Sequence, residues 1–292
     1  MARYEATWQE QAVDTNGVRL HVVTQGESGP LVIMLHGFPE CWYSWRAYLP
    51  ALAEAGFRAL APDMRGYNLS EKPKGIRSYD LPALTADVMG LIRAFGEEKA
   101  VIVGHDWGAV VAWRFAMDYP QAVEKLVICN VPHPARFAEE VRHFRQLRKS
   151  WYIFFFQLPW LPELVMRRNL PHLIERAMRG SAVRQGAFSD EDLQVYTEAL
   201  RQPGALTASI NYYRAAARWG RKLSNKPITA PTLIIWGEED RFLGKELVPG
   251  TERFVPDLQV KYIPNCGHWV QQEAADEVKL ALLDFLRQDA GS

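Results

Sequence analysis

An aspartate occupies the position of a catalytic nucleophile in the segment VGHDWG, residues 103–108. Glycines lie two positions before and two positions after Asp106, a spacing typical of the sharp strand-to-helix turn that exposes a nucleophile. The simpler alternative is that Asp106 only caps the helix that follows. Because a carboxylate near a helix N-terminus is ionised at neutral pH, Asp106 can attack a saturated carbon without the help of a base. The expected product is an alkyl ester of the protein.

Two residues further along the chain are the predicted partners of Asp106. Asp240 in WGEEDRFL and His268 in NCGHWV each follow a strand-like run, and nucleophile, acid and histidine come in one of the known orders of a catalytic triad. We predict that His268 activates water, and that Asp240 orients His268 and stabilises its protonated form. Glu238 and Glu239 are the alternatives to Asp240. The alternative for His268 is an ordinary histidine of a surface loop.

Backbone N–H groups near Asp106 form the predicted oxyanion hole. The loop in LHGFPE follows an early strand-like run and can direct the N–H of Phe38 at the nucleophile. The N–H of Trp107 is the second predicted donor, because it follows the nucleophile directly. We expect structural roles for His36 and His105, which lie beside these two segments.

An aspartate nucleophile selects substrates that carry a leaving group on saturated carbon. Epoxides and organic halides are therefore the natural candidates. A departing halide needs N–H donors, whereas an opening epoxide needs an acid that donates a hydrogen bond to its oxygen. No GxSxG segment occurs in the chain, which disfavours a serine esterase.

Composition excludes several other classes of protein. The 292 residues balance 34 Lys and Arg against 34 Asp and Glu, so the net charge gives no indication of a nucleic-acid partner. Cys41, Cys129 and Cys266 lie far apart and form no CxxC, and the chain starts without a secretion pattern, so we expect a cytoplasmic protein. The most apolar stretch, residues 151–166, contains two prolines, a Gln and a Glu, which argues against a membrane span. The histidines lack metal-ligand spacing and the chemistry consumes only water, so no metal or cofactor is expected.

Short apolar runs alternate with helical patterns along the chain. TWQEQAV and VRLHVVTQG flank DTNG and predict a hairpin. Strands buried on both faces of a parallel sheet are predicted for PLVIMLHG, FRALAPD, KAVIVGHD, KLVICNVP and PTLIIWGEED. Helices are predicted for LPALTADVMGLIRAFG, GAVVAWRFAMDYP and EAADEVKLALLDFLRQ. The alternation predicts an α/β fold with a mostly parallel central sheet flanked by helices.

The alternation stops between about Pro134 and Asn225, where aromatic and basic helical stretches occur without a convincing strand. We therefore predict a core domain of residues 1–133 and 226–292, with a helical cap of residues 134–225 inserted into it. The cap is expected to hold the group that meets the leaving oxygen or halide. It is also a candidate surface for a homodimer.

The motifs resemble, over most of the chain, those of the soluble epoxide hydrolases of the α/β-hydrolase superfamily. The segments that carry this resemblance are HGFPE, DMRGYNLSEKP, GHDWG, VPHP, WGEEDRFL and NCGHWV. The resemblance implies the α/β-hydrolase fold, with Asp106 as nucleophile, His268 as the base that activates water and Asp240 as its acid partner. One position departs from the pattern, because Asn68 stands where a glycine is expected.

The resemblance also implies two cap tyrosines that donate to the oxirane oxygen. Tyr152 in WYIFFFQ matches the first, and Tyr213 in NYYR matches the second, with Tyr212 as the alternative. Packing alone is the other explanation of these aromatic residues. A phenol has an ordinary pKa of about 10, so both tyrosines would stay protonated and able to donate at neutral pH. The surrounding aromatic residues and Trp107 predict an apolar pocket for a small hydrophobic epoxide.

Two further families and one further class of protein compete with this interpretation. A haloalkane dehalogenase uses the same ester chemistry, but that family commonly has a polar or acidic residue where Phe38 stands. Haloacid dehalogenases of this fold usually carry an Arg where Trp107 stands. A non-catalytic binding protein on the same fold is disfavoured because Asp106, Asp240 and His268 are all present.

Overall fold

The computed structural model describes residues 8–140, 151–220 and 226–288. In this part of the chain eight strands form one sheet in the order β1-β2-β4-β3-β5-β6-β7-β8. The strands are β1 (Gln9–Thr15), β2 (Val18–Gln25), β3 (Leu31–Leu35), β4 (Arg58–Pro62), β5 (Ala100–His105), β6 (Val123–Cys129), β7 (Thr232–Gly237) and β8 (Leu258–Ile263). Strand β2 pairs antiparallel with β1 and β4, and the other neighbours are parallel. The predicted α/β fold with a mostly parallel sheet is confirmed.

Helices cover both faces of this sheet. Those of the described chain are α1 (Tyr48–Glu54), α2 (Leu81–Ala94), α3 (Trp107–Asp118), α4 (Pro134–Glu140), α5 (Trp151–Phe155), α6 (Leu161–Arg168), α7 (Leu170–Ala177), α8 (Asp190–Arg201), α9 (Ala205–Trp219), α10 (Val270–Glu273) and α11 (Ala275–Arg287). One buried cluster lies under α2 and α3, and a second lies under α1, α10 and α11. Every residue of β3, β5 and β7 is buried between these two layers. This explains their uninterrupted apolar runs.

Two turns show how polar residues replace glycine in left-handed backbone. Asn16 and Gly17 join β1 to β2 with φ of 46° and 74°, as a two-residue hairpin turn requires. Asn68 has φ of 39°, and its side chain donates to the Asp63 carboxylate at 2.9 Å. Asn tolerates this conformation better than most residues with side chains. The departure at Asn68 therefore keeps a glycine-like turn.

Helices α4 to α9 lie between β6 and β7, and we call the described residues 134–140 and 151–220 the helical insertion. No strand occurs in these described residues. The division into core and cap at residues 133/134 and 225/226 stays a prediction. Residues 1–7, 141–150, 221–225 and 289–292 of that division lie outside the described residues.

Two further findings concern thiols and membranes. Cys41, Cys129 and Cys266 are all buried free thiols. None of the helices within residues 8–140, 151–220 and 226–288 has the length and apolar character that crossing a bilayer would need.

Candidate active site

Asp106 lies on a tight turn between β5 and α3. Its backbone has φ 46° and ψ −120°, a strained conformation for a residue with a side chain. A Cβ atom at Gly104 would lie 2.6 Å from the carbonyl oxygen of Gly108, and one at Gly108 would lie 2.1 Å from that of Leu35. The backbone segments around this turn approach each other so closely that neither flanking position has room for a side chain, which explains both glycines. The Asp106 side chain accepts no capping hydrogen bond from α3, so it does not act as the ordinary helix cap of the simpler alternative.

The two carboxylate oxygens of Asp106 have different neighbours. The N–H of Phe38 donates to Oδ1 at 2.8 Å, and Nε2 of His268 lies 3.8 Å from Oδ2. Burial by itself raises the pKa of Asp106, but His268 and the Phe38 N–H outweigh burial and hold that pKa below its usual value. Asp106 is thus an anion at neutral pH. The Asp106 side chain is 20% exposed, so a small molecule can reach it.

The loop of Phe38 approaches Asp106 closely because Gly37 precedes it. A Cβ atom at Gly37 would lie 2.3 Å from the Cβ atom of Asp106. Trp107 is the first residue of α3, and backbone N–H groups in the first turn of a helix have no partner within the helix. The two predicted N–H donors therefore belong to two backbone segments that meet at Asp106.

Asp240 contacts His268, whereas the two neighbouring glutamates do not. The Nδ1 atom of His268 lies 2.8 Å from Oδ2 of Asp240. Glu238 instead pairs with Lys245 at 2.7 Å, and Glu239 is exposed. His268 is only 4% exposed, which rules out the surface-loop alternative.

The imidazole of His268 lies between two carboxylates. Burial alone favours the neutral ring, but Asp240 and Asp106 outweigh burial and raise the pKa of His268 to about 10. Burial likewise opposes the charge of Asp240, yet His268 and nearby donors hold the pKa of Asp240 below its usual value. At neutral pH the site therefore contains an imidazolium between two carboxylates. If Asp106 lost its charge, one of the two supports of that imidazolium would disappear.

Asn130 is a site residue that the sequence analysis did not identify. It follows β6 with φ of 54°, and its Nδ2 donates to Oδ2 of Asp240 at 2.7 Å. Its Oδ1 accepts from the N–H of Gly237 at 2.9 Å. Asn130 thus holds the Asp240 carboxylate and the end of β7 together. A polar residue directly after the apolar run KLVIC, at the carboxyl edge of the sheet, is the signal that could have found it.

A second buried histidine–carboxylate pair lies behind His268. Nδ1 of His105 is 2.8 Å from Oε2 of Glu40, and Nε2 of His105 is 3.0 Å from the backbone oxygen of His268. The other oxygen of Glu40 accepts from the amides of Gln271 and Gln272, both at 2.8 Å. These contacts hold the His268 loop, which is consistent with the structural role expected for His105.

Glu273 joins the helical insertion to the same loop. Its Oε2 atom accepts from the N–H of Gly267 at 3.2 Å. The same oxygen accepts from the N–H groups of Val183 and Arg184 at 2.7 Å and 3.0 Å. One buried carboxylate thereby ties the residue before His268 to the insertion.

Tyr213 on α9 and Tyr152 on α5 lie over the turn that carries Asp106. The ring of Tyr213 contacts those of Phe38 and Trp107 at centroid distances of 5.8 Å and 4.9 Å. The Tyr152 ring lies 5.9 Å from that of Tyr213. Burial raises the pKa of both phenols, and the negative charge of Asp106 raises it further. Both hydroxyls are therefore protonated at neutral pH.

Tyr212 uses its hydroxyl elsewhere. This hydroxyl donates to the carbonyl oxygen of Arg65 at 2.7 Å, and the ring packs against Tyr67 and Tyr79. The contacts favour Tyr213 over Tyr212 as the second tyrosine.

Polar contacts fix the two tyrosine-bearing helices against each other. Nε2 of Gln157 donates to the backbone oxygen of Tyr213 at 3.2 Å. Arg214 donates to the carbonyl oxygen of Phe156 at 3.0 Å and pairs with both oxygens of Glu163 at 2.6 Å and 3.1 Å. The Arg214–Glu163 pair is largely buried. The Gln of WYIFFFQ and the Arg of NYYR thus position the tyrosines.

The assembled groups permit a two-step reaction through a covalent ester. They comprise a carboxylate anion, backbone N–H donors, a carboxylate-paired imidazole and two protonated phenols. Such a set can form an ester, protonate a leaving oxygen and hydrolyse the ester. Within residues 8–140, 151–220 and 226–288, no group of three or more His, Cys, Asp or Glu is arranged to hold a metal ion.

Comparisons with known proteins cover nearly the whole chain. The profile described as the alpha/beta hydrolase fold matches residues 30–275. The AB hydrolase superfamily protein YfhM of Bacillus subtilis is 44% identical over 281 residues, which cover 95% of this chain and 97% of that protein. Epoxide hydrolase 2 of Caenorhabditis elegans is 38% identical over 97% of this chain and 81% of its own. The crystal structure of epoxide hydrolase A from Mycobacterium thermoresistibile superposes with a TM-score of 0.86 at 35% identity, covering 96% of this chain and 98% of that one.

Proposed function

Because the chain belongs to the alpha/beta hydrolase fold family and, within it, to the epoxide hydrolases, we propose that it opens an oxirane to a vicinal diol through a covalent ester on Asp106. The observation that carries this proposal is the position of the Asp106 carboxylate. One of its oxygens faces the Phe38 N–H and the other faces His268, and two phenols, one buried and one partly buried, lie over the turn.

In the first step an Asp106 oxygen attacks one carbon of the oxirane. A carbon–oxygen bond forms to Asp106 as the ring carbon–oxygen bond breaks, and the ring oxygen leaves as an alkoxide. Tyr152 and Tyr213 donate to that oxygen, and one of them transfers a proton to it. Burial supports this role because it keeps both phenols protonated until the alkoxide appears. The apolar rings around them exclude water and suit a small hydrophobic epoxide.

In the second step water hydrolyses the ester. Ester formation removes the negative charge of Asp106, and His268 loses one of the two carboxylates that raise its pKa. The imidazolium then releases its proton, which restores the phenol that protonated the ring oxygen, and the neutral imidazole can accept a proton from water. The water oxygen attacks the Asp106 carbonyl carbon as His268 takes one proton of the water, and the N–H groups of Phe38 and Trp107 stabilise the oxyanion. The intermediate then collapses: the bond between the carboxyl carbon and the substrate oxygen breaks, that oxygen takes up the remaining proton of the added hydroxyl, and the Asp106 carboxylate is restored. Asp240, held by Asn130, stabilises the imidazolium until the diol leaves.

Haloalkane dehalogenation remains the alternative reaction, since it would use the same carboxylate and the same histidine. The phenols favour the epoxide, because an alkoxide needs a proton whereas a halide does not. A panel of small epoxides and haloalkanes separates the two, with Asp106→Asn as the matched inactive control. We expect diol from the epoxides and no halide release; halide release at a comparable kcat/KM would overturn the assignment of substrate.

A single turnover in ¹⁸O-labelled water tests the ester. We expect the first diol to carry unlabelled oxygen from Asp106, and the label to enter the Asp106 side chain, because the water attacks the carboxyl carbon. If the label appears in the first diol and never in Asp106, water attacks the epoxide directly and the covalent mechanism is wrong.

A further inference from the structure

The helical insertion exposes a cluster of apolar side chains that no other part of the described chain matches. We call it the apolar patch: Phe154, Leu158, Trp160, Leu164 and Val165. These are half of the ten large hydrophobic residues exposed in the described chain, and they fall within twelve consecutive positions. Single exposed hydrophobic residues are normal, whereas a cluster of this kind marks an interaction surface.

Basic side chains share the exposed face of α6 with this patch. Pro162, Glu163 and Met166 are the buried residues of the helix, while Arg167 and Arg168 are exposed together with the two patch residues of α6. The acidic residue of α6 is therefore turned inward, and its exposed side is apolar and positive. Burial of apolar side chains and attraction of basic ones to anionic lipids are the two contributions by which a surface segment binds a membrane.

Trp160 is the most exposed member of the patch. Its side chain is 69% exposed, yet its backbone has φ 51° and ψ −26° in the left-handed region. A bulky residue is unfavourable in that conformation, and little packing is gained in return by so exposed a side chain. Strain of this kind is common at functional positions. Trp is also the side chain that prefers the boundary between water and lipid.

The balanced net charge of the chain conceals an asymmetry. Residues 134–225 contain fifteen Lys and Arg against eight Asp and Glu, and the rest of the chain contains nineteen against twenty-six. Four of these fifteen, Arg142, Arg145, Arg148 and Lys149, come just before α5 in the sequence without an acidic residue between them. These four residues lie outside the described residues. A symmetric contact through the patch would bring Arg167 and Arg168 of the two copies together, whereas a negatively charged surface attracts these two side chains.

We propose that the helical insertion docks on an anionic lipid bilayer through the apolar patch, with Arg167 and Arg168 against the lipid phosphates. The patch side chains enter the interface between headgroups and acyl chains. Tyr152 of α5 and Phe156, the residue that follows α5, both contact the ring of Tyr213 in the candidate active site. The docked surface therefore adjoins the candidate active site. The docking does not depend on the chemistry at Asp106.

Vesicle flotation of the full chain tests the docking. We expect flotation with vesicles of phosphatidylcholine containing one-third phosphatidylglycerol, much less with phosphatidylcholine alone, and a decrease as salt is added. The triple variant Trp160→Ser, Leu164→Ser, Val165→Ser should bind at least tenfold more weakly. The double variant Arg167→Glu, Arg168→Glu should lose about tenfold or more, because each basic residue at an anionic surface contributes about fivefold.

Matched controls remove comparable side chains far from the patch. Leu280→Ser, on α11, removes an apolar side chain that is 61% exposed, and Lys74→Glu with Lys261→Glu reverses two exposed charges. Both should float like the unmodified chain, and all variants should keep its melting temperature. The proposal is wrong if the chain does not float at low salt or if the patch variants float equally well. It is also wrong if light scattering shows a dimer that only the patch variants disrupt, since a second copy would then cover the patch.

Discussion

The carboxyl edge of the sheet and the helical insertion meet at the site, but they hold their functional groups in different ways. At the sheet edge, hydrogen bonds fix each carboxylate. The carboxylate of Asp240, for example, accepts hydrogen bonds from the backbone N–H groups of Phe242 and Leu243. It also accepts from the side chains of Asn130 and His268. In the insertion, ring packing positions the tyrosines, and polar ties act on their helices. If the proposed mechanism holds, we expect the sheet edge to carry the ester chemistry, and the insertion to set the rate of ring opening and the choice of substrate.

Removal of the proposed nucleophile, Asp106, is the most severe test of this contrast. Asp106→Ala and Asp106→Asn should each lower diol formation by at least about 10⁴-fold, because neither side chain can form the ester. Asn tolerates left-handed backbone well, so Asp106→Asn controls for strain in the turn. Diol formation is measured on a styrene oxide substrate, with circular dichroism to verify folding. Substantial turnover by folded Asp106→Asn would remove Asp106 from its proposed role.

A change at His268 should separate the two steps. His268→Gln should slow hydrolysis of the ester by about 10³-fold or more, because no base activates the water. Alkylation should continue, so mass spectrometry should find one substrate mass added to the peptide that contains Asp106. Full activity without any adduct would contradict the assignment of His268.

The tyrosines test the contribution of the insertion. Tyr213→Phe and Tyr152→Phe should each slow ring opening by about 10²-fold, and the double variant should nearly stop it. The matched control is Tyr212→Phe, which leaves the carbonyl of Arg65 without its donor. That control should lower the free energy of unfolding by about 1–3 kcal/mol and leave ring opening unchanged. Single-turnover kinetics measures the rate of ring opening. If Tyr212→Phe slowed ring opening and Tyr213→Phe did not, Tyr212 and not Tyr213 would be the second donor.

Glu273 connects the His268 loop to the helical insertion. Its removal should destabilise both regions, with a smaller effect than the changes above. Glu273→Ala leaves the N–H groups of Gly267, Val183 and Arg184 without an acceptor and should cost about 2–3 kcal/mol in the free energy of unfolding. Glu273→Gln keeps an acceptor oxygen and should cost less. Chemical denaturation measures both, with the exposed residue Glu198 as control: Glu198→Gln should change stability by less than about 0.5 kcal/mol. Equal stability of Glu273→Ala and the unmodified chain would show that the tie is dispensable.

The smallest expected effect is a difference in pH dependence between the two steps. Alkylation should be nearly constant from about pH 6 to 9, since Asp106 stays ionised and the pKa of His268 is about 10 in the unmodified site. Ester hydrolysis should rise with pH, because the lost charge of Asp106 lowers the pKa of His268 and hydrolysis requires its neutral form. Stopped-flow measurement of both phases checks this. Identical profiles would show that ester formation leaves the pKa of His268 unchanged.

Local patterns in the sequence were sufficient to predict most of the fold and part of the site. The apolar runs predicted the buried strands β3, β5 and β7. The glycines around Asp106 predicted the turn that carries it. Asn130 escaped prediction because its partner Asp240 is 110 positions away and no motif joins them. Glu40 and Glu273 escaped for the same reason, since a buried carboxylate acquires its role only from the donors that fold around it.

The sequence by itself determined the order of the strands along the chain, the presence of a carboxylate on the nucleophile turn, and an acid and a histidine after later strands. These depend on short periodicities and on glycines that act within a few residues. Only the tertiary structure decided that Asp240 rather than Glu238 meets His268, and that the hydroxyl of Tyr212 is bound to Arg65. It alone also placed His268 between two carboxylates. Such properties depend on burial and on distances between segments far apart in the chain, and no local pattern encodes them.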